Sequence, residues 1–121
     1  MGDIKGKVMV ATYDDAKVFM ELVRWSTELG LGDALSEIYA PDFDPSDTAD
    51  QSPAVRKVLM FGETMGTLVK HDVLDWDLAS DLFWIEGMWN KVGAHARAIR
   101  QREGEPKLYE HFESLAVRAT Q

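Results

Sequence analysis

Three helices in succession, from Ser52 to Gln121, constrain this chain more than any other feature. Ser52-Pro53 opens the first, Asp75 the second and Glu105-Pro106 the third. Each start sets a capping residue or an acid before a good first-turn residue. Apolar side chains then recur every three or four residues, the period of one helix face. The first helix is predicted from Pro53 to about Lys70, with Val55, Val58, Leu59, Met65, Leu68 and Val69 on its apolar side. The second begins at Asp75 and carries Leu78, Leu82, Ile85, Trp89, Val92, Ala96 and Ile99 to a stop at Gly104. The third runs from Pro106 to about Arg118, with Leu108, Phe112, Leu115 and Ala116 inward.

Glycine costs a helix interior about 1 kcal/mol relative to alanine. Gly62 and Gly66 are four apart, so they share one face, and their spacing predicts the close approach of another helix backbone. Gly87 and Gly93 are positions where the second helix is expected to bend.

The first half is looser. Residues 1–13 are expected to form an arm, with Val8-Met9-Val10 too short to make a sheet alone. Thr12 or Asp14 then caps a helix whose core side is Phe19, Leu22, Val23 and Ser26. Gly30 and Gly32 end it or kink it, and a short helix over Asp33–Tyr39 follows. Residues 40–52, rich in Asp and Pro, read as an exposed acidic loop. The acids of Asp42–Asp50 lack the glycine and terminal glutamate of a calcium loop.

At 121 residues the chain fits one domain, residues 1–121. With no cysteine, thiol catalysis, Cys-ligated zinc and iron–sulfur clusters are excluded. No run approaches the ~18 apolar residues of a membrane span. Val8-Met9-Val10-Ala11 is too short for a signal sequence, and Gly6 stands where myristoylation wants Ser or Thr. A cytoplasmic protein is the expectation. The net charge is −8, but unevenly placed: residues 1–90 hold 7 basic and 17 acidic side chains, residues 91–121 hold 6 and 4. Phosphate binding needs a basic face, and Arg97, Arg100 and Arg102 are the one cluster, set on an acidic body. No nucleic-acid partner is expected.

The string Val58-Leu59-Met60-Phe61-Gly62-Glu63-Thr64-Met65-Gly66, then Leu68-Val69-Lys70, Trp89, Arg100 and Leu108–Ala116, resembles a family of small all-helical prokaryotic proteins catalogued as a domain of unknown function. The resemblance covers residues 54–118 and departs at Gly93-Ala94, where a helix-breaking proline would stand. It implies a helical fold and no particular reaction.

Candidate chemistry is sparse. His71, His95 and His111 form no His-Glu-x-x-His or other close ligand pair. A metal would need them to converge with Glu63 or Glu86 across helices, and the Glu-x-x-His spacing of carboxylate bundles is missing. No metal and no cofactor are expected. Ser26, Ser80 and Ser114 sit in helical stretches without a nucleophile-elbow sequence. Arg100 and Glu113 would meet if the last two helices pack antiparallel, as a structural bridge or a charged pocket floor.

Trp76, Trp84 and Trp89 cannot all face one core at 100° per residue. An exposed aromatic beside Phe83 and Met88 reads as an interface. These observations predict an all-α, antiparallel bundle of four to five helices with an N-terminal arm. They predict no enzyme, but a module acting through self-association, as a homodimer, or through protein contact at Phe83, Trp84 and Met88. A second reading is a small-molecule or enzymatic pocket lined by Glu63, Glu86, His95 and Arg100. A third is a nucleic-acid-associated regulator.

Overall fold

A computed structural model describes residues 10–49 and 52–121. The expected arm and the tail of the acidic loop thus lie partly outside the described residues. All regular structure among those described is helical: α1 (Tyr13–Leu29), α2 (Leu31–Ile38), α3 (Pro53–Lys70), α4 (Trp76–Leu82), α5 (Ile85–Glu103) and α6 (Glu110–Ala119). The class is the expected one, but the described residues form six helices rather than four or five.

The helix starts follow local chemistry. Thr12 caps α1 through a reciprocal box: Asp15 N–H donates to the Thr12 hydroxyl at 3.1 Å, and Thr12 N–H donates to the Asp15 carboxylate at 2.8 Å. Ser52 caps α3 ahead of Pro53, and Asp75 caps α4 by accepting from Leu78 N–H at 3.0 Å. Gly30, at φ 80°, ends α1 in the left-handed conformation that side chains resist, and α2 begins at the next residue.

The central element is α3. It buries Val55, Val58, Leu59, Phe61 and Met65 almost completely, on more than one face, and packs against α1, α2, α5 and α6. Trp25 of α1 stacks on Phe61 at 5.6 Å, and Trp89 of α5 meets Phe112 of α6 edge-on at 5.1 Å. Each such aromatic pair contributes about 0.5–1.5 kcal/mol beyond its buried area.

Two expected boundaries are corrected. The long helix from Asp75 to Gly104 is two helices, broken at Phe83, whose backbone is extended (φ −101°, ψ 133°). Long-range packing causes the break. Extended backbone at residue 83 lets the Phe83 ring reach Phe61 (5.1 Å) and Phe19 (6.3 Å). The break falls at neither glycine, and α5 runs as one helix through Gly87 and Gly93. Those glycines make room for rings instead: a Cβ at Gly87 would enter the Trp84 ring, and one at Gly93 would lie 2.9 Å from Trp89.

The last helix starts at Glu110, not Pro106. Residues 106–109 form turns, and Tyr109 takes φ 62°, a left-handed conformation that is rare for an aromatic residue.

Candidate functional site

The start of α6 is capped from another helix. A helix leaves its first N–H groups without partners, and a side chain at the N-cap normally accepts from them. Here the N-cap is Tyr109, which supplies no side-chain bond. Glu63, from the middle of α3, supplies it instead. Its Oε1 accepts from His111 N–H and from Phe112 N–H, both at 3.0 Å. Its Oε2 lies 2.6 Å from His111 Nδ1. An ionised carboxylate only accepts, so the Nδ1 contact is a donation from the ring; an ammonium only donates, so opposite Lys70 the Nε2 takes the acceptor role. Lys70 Nζ donates to that Nε2 at 3.4 Å. Glu63, His111 and Lys70 therefore form a chain of carboxylate, imidazole and ammonium.

Glycine makes this reach possible. A Cβ on Gly66 would sit 2.5 Å from the His111 carbonyl carbon, and one on Gly62 would enter the Phe112 ring. The backbone of α6 comes against α3 only because both side chains are absent. Strain accompanies the contact: the left-handed Tyr109 costs on the order of 1–3 kcal/mol, held by the packing around it.

Beside this chain lies a groove of about 500 Å³. Gly66, Val69 and Leu115 form its floor, and Lys70, His111, Ser114 and Arg118 its polar wall, with Asp72 and Glu110 at the edge. Of these, His111, Ser114 and Arg118 recur at helical spacing on α6, so they share a face.

The other residues singled out from sequence do not join this site. Arg100 sits at the α5–α6 turn, where Nε donates to the Leu108 carbonyl at 2.6 Å and Nη1 pairs with Glu113 at 2.8 Å. This ties the turn to the end of α5. His95 is buried, its ring stacked on Phe43 at 6.0 Å, and Nδ1 has no hydrogen-bond partner among the described residues. Glu86 borders a different groove, next to Trp84. Glu63, Glu86, His95 and Arg100 thus do not line one pocket. Of the arginines, Arg97 and Arg100 both lean on the Trp89 ring, at 5.8 and 6.0 Å, and Arg102 lies 3.9 Å from Glu103. Among the described residues, no three His, Asp or Glu side chains are placed to hold a metal ion.

The aromatic trio separates as well. Trp84 is 67% exposed and Leu82 56%, while Phe83 is half-buried. Met88 is buried, which corrects its place on the surface: the restart of the helix at Ile85 rotates it inward, with Trp89 and Val92. The Trp84 ring rests against Gly87 and lies 5.8 Å from Tyr39, so it is packed on one side although exposed. A second groove, about 530 Å³, runs beside it, lined by Trp76, Asp81, Leu82, Ile85, Glu86 and Arg118 among others. Arg118 stacks over Trp76 at 4.4 Å.

From sequence, His111 and Glu63 enter together only as possible metal ligands, and nothing marks Lys70 or Tyr109 as part of this site. The separation of 48 residues between Glu63 and His111 leaves no local signal. The glycine pair, which marked a close approach without naming its partner, was the available clue.

No curated protein and no solved structure matches the chain. A family model described as a domain of unknown function (DUF4760) matches residues 8–119, nearly the whole length, and the chain belongs to that family.

Proposed function

We propose that this protein is a non-catalytic helical module that acts through protein contact, pairing with a second copy at the α4–α5 corner. One observation carries the reading: Trp84 packs against Gly87 and Tyr39, yet 67% of it is exposed. An aromatic already packed loses little entropy on binding, and tryptophan is among the residues that most often dominate interfaces. Leu82 extends the apolar surface, and the adjoining groove of about 530 Å³ offers a socket on the same face. A surface with both anchor and socket suits a two-fold pair, in which each copy fills the other. Charge fits too. Arg118 lines the groove together with Asp81 and Glu86, so a two-fold arrangement sets the cation of one copy toward the acids of the other.

Light scattering at micromolar concentration tests this. A dimer is expected. Trp84→Ala should weaken it by roughly 30-fold or more, the loss of about 2 kcal/mol typical of an interface hot spot, and Leu82→Glu should produce monomer. A wild-type monomer throughout that range refutes self-association.

A further inference from the structure

We propose that the groove between α3 and α6 binds a small organic monocarboxylate, with its oxygens on Lys70 and Ser114, beside His111, and its apolar body along Gly66, Val69 and Leu115. The groove holds about 500 Å³, within the range of small-molecule sites. Its donors come from two elements. On α6, imidazole, hydroxyl and guanidinium follow one another at positions 111, 114 and 118, one to a turn. Opposite them, on α3, stands the Lys70 ammonium.

Neither cation of the groove is engaged in an ion pair among the described residues. Lys70 reaches only His111 Nε2, at 3.4 Å, and Arg118 stacks on Trp76. Glu63 pairs with neither, because both of its oxygens are taken by His111 and Phe112. It fixes the imidazole instead, so that Nε2 faces Lys70 in one orientation. A ligand carboxylate would accept from the ammonium and from the Ser114 hydroxyl, in charge-assisted bonds stronger than neutral ones.

The rest of the lining narrows the ligand. Asp72 and Glu110 border the groove and offset its two cations, so repulsion grows with ligand charge and disfavours phosphate esters and polyanions more than a monocarboxylate. The floor of Gly66, Val69 and Leu115 offers apolar contact to a short hydrocarbon chain and nothing to a bare inorganic ion.

Amide chemical shifts in 15N-labelled protein test the assignment, with sodium hexanoate as probe and inorganic phosphate and tetramethylammonium as controls at matched ionic strength. Hexanoate should shift His111, Ser114 and Leu115 saturably in the millimolar range. Lys70→Met should weaken it at least about tenfold, the effect of one hydrogen bond to a charged group, and Ser114→Ala should weaken it less. Both side chains are exposed, so the variants should melt with the wild type. Arg118 borders both grooves, so the titration is repeated in Trp84→Ala, where hexanoate should bind unchanged; this separates ligand binding from self-association. Shifts that stay linear with concentration, equal binding of phosphate or tetramethylammonium, or binding indifferent to Lys70→Met would each overturn the proposal.

Discussion

Gly66→Ala should destabilise this protein strongly, although the same substitution stabilises most helices. In an open helix interior the change gains about 1 kcal/mol. Here the new Cβ would lie 2.5 Å from the His111 carbonyl carbon, against 3.4 Å for ordinary contact. The obstacle is backbone, so no rotamer change relieves it, and α6 must withdraw by about 0.9 Å. That displacement lengthens all three bonds to Glu63, now at 2.6, 3.0 and 3.0 Å. Overpacking costs about 1–3 kcal/mol, and weakening bonds to a charged acceptor about 1.5–3 kcal/mol more. Less the gain in helix propensity, a net loss of roughly 1.5–5 kcal/mol is expected.

Urea unfolding followed by far-ultraviolet circular dichroism gives that free energy directly, and a loss near 3 kcal/mol lowers Tm by on the order of 10 °C. Gly32→Ala is the internal control. Its Cβ would meet nothing within 4 Å, and the residue lies inside α2, so it should stabilise by about 0.5–1 kcal/mol. If Gly66→Ala melts at or above wild type while Gly32→Ala behaves as stated, α6 does not seat on α3 as described.

Two further perturbations probe other parts of the fold. Glu63→Gln keeps an acceptor for the α6 N–H groups but loses the charge and the match to His111 Nδ1, so it should cost about 1–2 kcal/mol, read as a lower urea midpoint; an unchanged midpoint would mean the cap contributes nothing. Burial pushes the Tyr39 phenol above its ordinary range, so the stability it contributes is full below the unfolded pKa of about 10 and falls as pH rises through the folded value; Tyr39→Phe should flatten that alkaline loss in melts, and identical alkaline profiles would contradict it.

How much of this was legible in advance depended on the range of the cause. The caps at Ser52 and Asp75, and the stop at Gly104, act within one helical turn, so their residues announce them. The break at Phe83 does not, because it answers to Phe19 and Phe61, distant in sequence. Three-four periodicity alone carried the stripe from Leu78 through Leu82 to Ile85, and the break put Leu82 on the surface and Met88 in the core. Trp84 and Leu82 became conspicuous only through that change of phase. The same holds for the polar residues. Arg100 and Glu113 flank a short turn and meet across it at 2.8 Å, whereas Glu86 and His95 lie on the same helix as Arg100 and face elsewhere.

The start of α6 joins these threads. Proline at 106 and the acid before it favour a helix at once, yet the chain delays until Glu110. Two competing demands explain the delay. The Leu108 carbonyl is held by Arg100, and the N–H groups of His111 and Phe112 are held by Glu63. A helix begun at Pro106 would direct those groups along its own axis and lose both partners. The left-handed turn at Tyr109 reconciles them, at a cost of on the order of 1–3 kcal/mol, and the bonds it secures offset that cost only while α6 lies close to α3. Close approach in turn requires that Gly62 and Gly66 have no side chains. The groove holding Lys70, His111 and Ser114 is a product of the same seating, with Gly66 as part of its floor. A substitution that lifts α6 should therefore loosen the helix start and open the groove together, so Gly66→Ala should lose hexanoate binding even at temperatures where it remains folded.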